Sequence, residues 1–209
     1  NVIRYKIPVA DTERGEATQE KAQRGLPNWA LSRGRQRLGL LALQNDPLFL
    51  QNLTLPRLQT ATGKIDVVAL DIIRDRERGV PRFNEFRRQY GLRTLTGFAD
   101  FVDQHLPQVS PERAQQQHLA SLLREVYSQH KCDASKIITD AQRNDDGSPI
   151  DDCLGHPNGS MVDNIEDLDT VVGWLAESTR PHGFAISETQ FQVFILNASR
   201  RLFSDRFFT

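Results

Sequence analysis

Apolar side chains recur at intervals of three and four residues along most of this sequence, which is the spacing of one face of an α-helix. Strict alternation of apolar and polar residues, the pattern of a half-buried strand, never extends beyond a few positions. The sequence therefore predicts a mainly α fold. The predicted helices cover residues 29–43, 65–78, 84–89, 96–105, 110–127, 169–177 and a last helix that opens at 187 and includes 202.

Two of these helices carry clear signals in their first turn. Ser110 can cap a helix that has Pro111 at its first position, where a proline sacrifices no hydrogen bond. Ser187 and Gln190 have the spacing of a capping box. Two helices are also expected to bury an apolar face. These faces are Ile65, Val68, Ala69, Ile72 and Ile73 in the second helix, and Phe191, Phe194, Ile195, Ala198 and Leu202 in the last.

Two polar segments interrupt the helical pattern. Residues 1–25 lack a periodic apolar face, and we expect a loop or a partly disordered arm there. Residues 128–163 are rich in Asn, Asp, Gly and Pro, the residues that favour turns, and we expect a surface insertion. The rest of the 209 residues suffices for one domain with a sizeable core.

Charge and hydropathy exclude several classes of function. The net charge is -1, and the arginines between positions 33 and 37 have no aromatic residues among them, so a nucleic-acid partner is not expected. No apolar run approaches the roughly 18 residues that a membrane span needs. The first residue is Asn1 rather than Met, which favours a processed chain. The compartment stays open, with extracytoplasmic and membrane-peripheral locations included.

The two cysteines, Cys132 and Cys153, leave two states open. They would form a disulfide in an oxidising compartment and stay free in a cytosol. Zinc ligation together with His130 and His156 is not expected, because the spacing matches no zinc-finger pattern. Calcium binding by the aspartates of residues 145–152 is not expected either, since the twelve-residue ligand pattern is absent.

The most unusual stretch is RDRERGVPRFNEFRR at residues 74–88. Asn84, Arg87 and Arg88 stand at i, i+3 and i+4, which places one amide and two guanidinium groups on one helical face. An amide oxygen can accept a hydrogen bond from an imidazole N–H, and arginine forks match carboxylates. This face suits a buried polar ligand. The alternative is a solvated face held by ion pairs.

This stretch resembles the signature of the animal-type haem peroxidases, the superfamily that includes cyclooxygenases and fatty-acid α-dioxygenases. Three further segments resemble the same family in the same order. They are LSRGRQRLGLLALQNDP at 31–47, LDTVVGWLAE at 168–177, and the run from GFAISETQF at 183–191 through SDRFFT at 204–209. The segments after residue 168 are most similar to the α-dioxygenase branch. The resemblance implies the C-terminal helical portion of a haem peroxidase fold.

The resemblance also implies where the chemistry should lie. The proximal histidine, the distal histidine and the oxidising tyrosine of the family precede the signature, whereas this sequence has no histidine before His105 and no earlier tyrosine except Tyr5. Catalytic residues and metal ligands are therefore expected in an upstream half of the same protein. The five histidines present are not expected to ligate a metal. They are His105, His118, His130, His156 and His182.

Within this chain the resemblance implies binding residues. Asn84 is expected to accept the N–H of the proximal histidine, and Arg87 or Arg88 to pair with a haem propionate. Arg200 and Arg201 match an arginine pair that holds the fatty-acid carboxylate in α-dioxygenases, and Arg200 is favoured. The alternative is that these two arginines form ion pairs with Asp205 or Glu188 and serve only the fold.

The expected function is that of a haem-dependent peroxidase or dioxygenase. When intact it would use hydrogen peroxide or O₂ and act on a fatty acid or a small phenolic substrate, while the 209-residue chain by itself would be inactive. Two alternatives stay open. One is a peroxidase-like adhesion or scaffold protein without haem, and the other is an unrelated helical binding domain whose charged stretch is structural.

Overall fold

We describe a computed structural model of the chain. It describes residues 11–35, 39–46, 48–54, 64–133, 152–153, 155–181 and 184–207. The chain divides into two compact units, one formed by Asn1–Leu40 and Gln44–Leu70 and the other by Leu41–Leu43 and Asp71–Thr209. Among the described helices none is long and apolar enough to cross a membrane.

The first unit contains two helices, α1 (Asp11–Arg24) and α2 (Leu26–Arg35). Short 3₁₀ turns follow at Leu43–Asn45 and Leu48–Asn52. Strand β1 (Leu53–Thr54) pairs antiparallel with β2 (Lys64–Ile65). Helix α3 (Val67–Glu77) begins in this unit, and its residues from Asp71 onward belong to the second unit. The Asp66 carboxylate closes its first turn by accepting the Ala69 N–H at 2.9 Å.

The prediction of a loop or disordered arm over residues 1–25 is wrong for the part that is described. Residues 11–24 form α1, although the helix has no strongly apolar face. Its Glu, Gln, Ala, Lys and Arg residues are good helix formers, and Arg24 forms an ion pair with Glu20 one turn earlier at 2.8 Å. Intrinsic propensity and this pair stabilise a helix that a search for apolar periodicity overlooks. Residues 1–10 lie outside the described part.

The second unit contains four further helices. They are α4 (Phe83–Gln89), α5 (Pro111–Tyr127), α6 (Thr170–Ala176) and α7 (Glu188–Ser204). Both predicted caps are confirmed, since the Ser110 hydroxyl accepts the Arg113 N–H and Ser187 forms a capping box with Gln190. The predicted mainly α fold is confirmed as well.

Helices α4, α5 and α6 enclose the core of this unit. Phe83, Phe98, Ile165 and Leu168 are fully or almost fully buried there. Helix α6 approaches α4 closely because it carries Gly173 at the crossing point. A Cβ at that position would lie 2.2 Å from the Phe83 ring, so no larger residue fits without displacing the ring.

Strands β3 (Gln129–Lys131) and β4 (Met161–Asp163) form an antiparallel hairpin, with His130 opposite Val162. Cys132 and Cys153 are joined by a disulfide, which settles the choice that the sequence left open. Both cysteines and Val162 are buried together. The described ends of residues 128–163 are therefore part of the packed structure and do not lie only on the surface, as the sequence had suggested. That residues 128–163 are an insertion stays a prediction, and residues 134–151 lie outside the described part.

Two predicted helices are shorter than expected. Of the helix expected at 96–105, only a 3₁₀ turn forms, at Phe98–Phe101, with turns after it. Side-chain carboxylates capture its backbone donors, because Asp100 accepts the Thr96 N–H at 2.7 Å and Asp163 accepts the Phe98 N–H at 2.8 Å. The helix expected at 29–43 ends at Arg35, and the Leu41 N–H donates instead to the Ala185 carbonyl at 2.9 Å.

The predicted burial of two helix faces is only partial, with Ile65, Val68, Ala69, Ile72, Phe191 and Ala198 half-buried. Helix α3 has no buried residue, and Ile73 is 48% exposed. On α7, Phe194, Ile195 and Leu202 are exposed, and only Thr189 is buried. The periodic pattern gave the helices correctly, but periodicity does not show whether the chain itself supplies atoms to cover an apolar face.

Candidate functional site

The charged stretch 74–88 is held in place by Phe83, the first residue of α4. Its ring is buried, 6.0 Å from that of Phe101, and its N–H donates to the Leu168 carbonyl at 2.8 Å. This anchor fixes α4 against the residues before α6. The side chains of α4 therefore reach carboxylates that lie about 80 to 100 residues later in the sequence, as the contacts below show.

Asp169 binds two arginines of the charged stretch. Arg76 donates to both of its oxygens, at 2.8 and 2.6 Å, and Arg82 donates to one of them. The Tyr127 hydroxyl donates to the other at 2.8 Å. Burial by itself would raise the pKa of Asp169, but the hydrogen bonds from Arg76 and Tyr127 and the charge of Arg82 outweigh it and hold the pKa below its ordinary value. Asp169 is therefore an ionised hub.

Arg87 lies in a second, more deeply buried network. Its Nη1 contacts Glu177 at 2.5 Å and the Thr189 hydroxyl at 2.8 Å, and its Nη2 contacts Glu188 at 2.8 Å. Its Nε donates to the Arg93 carbonyl at 2.6 Å. Glu177 also accepts the Thr189 N–H at 2.9 Å. This network joins α4, the end of α6 and the start of α7.

Asn84 and Arg88 share a third carboxylate. The Asn84 amide exchanges two hydrogen bonds with the backbone of Leu95, each 2.9 Å long, and donates to Glu166 at 2.7 Å. Arg88 donates to Glu166 at 3.0 and 2.5 Å. Burial raises the pKa of Glu166 to about 7, against the opposing effects of Asn84 and Arg88. Asn84 is fully buried, so none of its atoms reaches the surface of this chain.

The predicted binding residues are thus brought together on one helix, as expected from their spacing. They are, however, engaged inside the chain by distant carboxylates, so the face is ion-paired but buried, and not solvated as the alternative supposed. A cleft of about 50 Å³ adjoins Arg87, with Glu177 and Glu188 in its wall. Ligand sites for cofactors occupy roughly 300 to 1,000 Å³. The cleft beside Arg87 is therefore too small for a haem.

The histidines lie apart from these networks. His105, His118 and His156 are exposed. His130 is half-buried on β3, where its Nδ1 contacts the Asn164 side chain and its Nε2 lies 3.1 Å from the sulfur of Cys153. Since that sulfur is in a disulfide, His130 and the two cysteines do not offer thiolate ligands as the structure stands. His182 lies outside the described residues.

Arg200 and Arg201 are both exposed on α7. In the described part of the chain neither guanidinium forms a hydrogen bond or an ion pair. The carboxylates suggested as alternative partners are used elsewhere, because Glu188 binds Arg87 and Asp205 accepts the Phe207 N–H. Ion pairing with these two residues is therefore not what the two arginines do.

Sequence reasoning identified the arginines of the site but not the carboxylates that bind them. Asp169, Glu166 and Glu177 were not identified as partners of the arginines. Asp169 and Glu177 are the first and last residues of the predicted helix 169–177. The helix dipole accounts for an acidic residue at the first position, whereas it disfavours one at the last, so Glu177 was the one local signal of a cationic partner. A pairing across 78 to 93 residues leaves no periodic signal in the sequence.

The sequence matches the model of the family described as animal haem peroxidase over residues 20–135. Because this match covers more than half of the chain, the protein belongs to the animal haem peroxidase family. Within that family it lies in the α-dioxygenase branch. The hypothesis of an unrelated helical domain is therefore wrong, and the family resemblance is confirmed.

Two relatives show the extent of this similarity. Alpha-dioxygenase 2 from Arabidopsis thaliana is 32% identical over 209 residues, which are 99% of this chain and 26% of that protein. Alpha-dioxygenase PIOX from Oryza sativa subsp. japonica is 35% identical over 187 residues, 88% of this chain and 23% of that protein. The chain thus spans about a quarter of the length of these relatives.

Solved structures agree with the sequence comparison. A crystal structure of Oryza sativa fatty acid alpha-dioxygenase, a tyrosine-to-phenylalanine variant with palmitic acid, matches with a TM-score of 0.55 at 34% identity. The match covers 91% of this chain and 24% of that chain. The fatty acid alpha-dioxygenase of Arabidopsis thaliana matches with a TM-score of 0.55 at 31% identity, covering 91% and 23%.

Proposed function

We propose that this chain is part of the catalytic domain of a haem-dependent oxidoreductase that oxygenates fatty acids. The observation that carries the proposal is the similarity to α-dioxygenases along 88 to 99% of the chain. The palmitic acid in the matching rice structure supports a fatty acid as the substrate. The family name supports haem as the cofactor, with O₂ or hydrogen peroxide as the oxidant.

We infer that the haem and its ligands belong to another part of the same protein. The chain spans only a quarter of its relatives, and the cleft beside Arg87 has a volume of only about 50 Å³. The exposed apolar residues of α7 supply a surface against which such a part could pack. On this proposal the 209-residue chain alone neither binds haem through an axial histidine nor turns over substrate.

We propose that Asn84 accepts a hydrogen bond from the N–H of an axial histidine, which requires that the ring can reach it. Its carbonyl oxygen accepts the Leu95 N–H, and a second lone pair of that oxygen can accept an imidazole N–H. Because the side chain is fully enclosed in this chain, the segment around Leu95 would have to open to admit the ring. Replacing Asn84 by Ala in the intact protein should then alter the haem spectrum or lower activity by about 10- to 100-fold. An unchanged spectrum and unchanged turnover would remove Asn84 from the site.

Of the two arginines proposed for a haem propionate, Arg88 is the better candidate. Arg87 binds two carboxylates and is held by the Arg93 carbonyl as well. Arg88 also contacts two carboxylates, Glu166 and the more exposed Glu85 at 3.3 Å, but the pKa of Glu166 is about 7, so this partner is partly neutral near neutral pH. A haem propionate that pairs with Arg88 would therefore replace a partner that is already partly neutral.

For the fatty-acid carboxylate we propose Arg200. Successive residues of a helix are rotated by about 100°. Arg200 therefore lies on the same side of α7 as Thr189, eleven residues earlier. Thr189 is buried and contacts Arg87. Arg201 lies about 100° away, next to the exposed Phe194. A guanidinium can bind a carboxylate through two parallel hydrogen bonds, each contributing roughly 1.5 to 3 kcal/mol.

The test compares Arg200→Ala with Arg201→Ala in the intact, haem-loaded protein. We expect Arg200→Ala to lower kcat/KM for a long-chain fatty acid at least tenfold, since about 1.4 kcal/mol corresponds to a factor of ten. Oxidation of a small phenol should change little in either variant. Equal losses with both substrates would show that the arginine is structural. An intact protein that binds no haem and consumes no O₂ would instead favour the adhesion or scaffold alternative.

A further inference from the structure

The loop that leads from the disulfide into β4 contains the tripeptide Asn158-Gly159-Ser160. The Ser160 N–H donates to the Pro157 carbonyl at 3.1 Å and closes a four-residue turn. Gly159 has a φ of +84°, the left-handed conformation that the third residue of a type II turn requires. Asn158 is therefore the second residue of the turn, and it is exposed.

Backbone hydrogen bonds attach this turn to the hairpin of β3 and β4. The Cys132 N–H donates to the Ser160 carbonyl, and the Gly159 N–H donates to the Cys132 carbonyl, each at 2.8 Å. Cys132 is in turn linked to Cys153 by the disulfide. These bonds involve backbone atoms of the neighbours of Asn158, and Asn158 itself is exposed. A large group attached to that side chain would not disturb them.

We propose that Asn158 is a site of N-linked glycosylation. Asn-Xaa-Ser, where Xaa is not proline, is the acceptor sequence of this modification. The amide nitrogen of Asn158 would form a bond to C1 of the first sugar of a lipid-linked oligosaccharide diphosphate. The bond between C1 and the diphosphate oxygen breaks, the lipid diphosphate leaves with the bonding electrons, and the amide nitrogen loses one proton. No oxidant or reductant is needed.

The disulfide supports the proposal independently of the tripeptide. Disulfides form and persist in oxidising compartments such as the lumen of the endoplasmic reticulum and the extracellular space. N-linked glycans belong to secreted and surface proteins of the same route. Cys153 and Asn158 lie five positions apart in one loop, so both modifications would be made on the same segment of the chain.

Two other tripeptides have the acceptor pattern and provide comparisons. Asn197 lies inside α7, where its amide donates to the Val193 carbonyl at 3.0 Å, three residues after exposed Phe194. A glycan there would stand beside the apolar face of α7. Asn52 is followed directly by β1, whose Leu53 pairs with Ile65. Of the three, Asn158 is the one in a turn that is hydrogen-bonded to a disulfide-linked cysteine, Cys132.

The decisive experiment uses the protein purified from its native cells. Treatment with a peptide N-glycosidase converts a glycosylated asparagine to aspartate, and in heavy-oxygen water that aspartate carries a mass label. We expect the label at Asn158. An unmodified Asn158 peptide, whatever the state of the cysteines, would overturn the proposal, and so would a label at Asn197 without one at Asn158.

Variants separate the acceptor from the fold. When the intact protein passes through a eukaryotic secretory pathway, Asn158→Gln should abolish the glycosidase-sensitive gel shift that this site contributes. Ser160→Thr keeps the hydroxyl of the acceptor sequence and should retain the shift. The disulfide state of each variant, read from a thiol-labelling assay, shows that the loop has formed. A gel shift that is the same in Asn158→Gln as in the parent would count against the site.

Discussion

Asp169 binds the guanidinium of Arg76 through both of its oxygens, and the two residues are 93 positions apart in the sequence. The contact joins the end of α3 to the residue that precedes α6. Asp169 is nearly buried, and Tyr127 donates to the same carboxylate. Arg76 and Arg82 therefore stabilise the packing of the second unit. The charged stretch is a structural element as well as a family signature.

Removal of this carboxylate should destabilise the fold. We expect Asp169→Ala to lower the free energy of unfolding by about 2 to 4 kcal/mol, because Arg76, Arg82 and Tyr127 lose their shared partner. Asp71→Ala is the matched control, since Asp71 lies 3.9 Å from Arg74 and both side chains are exposed. That change should cost less than about 0.5 kcal/mol. Urea denaturation of both variants measures the difference, and equal losses would contradict the assignment of Asp169 as a hub.

The Arg87 network allows a comparison of two carboxylates on one guanidinium. Glu177→Ala should lower the free energy of unfolding by about 3 to 5 kcal/mol, because it leaves a buried arginine without its enclosed partner. Glu188 binds the same guanidinium but is 41% exposed, so Glu188→Ala should cost about 1 kcal/mol or less. The midpoint of chemical unfolding reports both effects. If Glu188→Ala were the more damaging change, the buried pair would not be the main stabilising contact.

Glu166 should make stability depend on pH. Burial raises its pKa from 4.5 to about 7, so between these values the folded state binds more protons than the unfolded state. The free energy of unfolding therefore falls as the pH rises through this window. We expect Glu166→Gln to remove that decline. Glu85→Gln, on a more exposed partner of the same Arg88, should leave it in place. The measurement is the free energy of unfolding from denaturation curves at several pH values in this window. If it changed with pH in the same way in Glu166→Gln and in the parent, Glu166 would not titrate there.

The exposed apolar face of α7 should make the 209-residue chain associate. Phe194, Ile195 and Leu202 lie along one side of the helix and are at least 40% exposed. We expect the average mass measured by light scattering to rise with concentration, and replacement of these three residues by Ser to reduce it towards that of a monomer. Phe203→Ser is the control, because Phe203 is 85% exposed but lies about 180° from Phe194 around the helix. A chain that stays monomeric at high concentration would show that this face needs no partner.

The sequence by itself determined the local features of this protein. Caps such as those at Ser110 and Ser187 form between residues three positions apart, so they are legible without any knowledge of the fold. The same holds for the placement of Asn84, Arg87 and Arg88 on one side of α4, because helical spacing alone fixes it. The family signature was also legible, since it is a contiguous run of residues.

Burial and partnership were decided only by the tertiary structure. Helical periodicity predicted the apolar positions of α3 and α7, yet these faces are only partly covered, because burial depends on what packs against them. The choice between a ligand-binding face and an ion-paired face depended on Asp169, Glu166 and Glu177. Chain folding brings these carboxylates to the arginines across 78 to 93 residues, and Coulombic pairing over such separations has no sequence period.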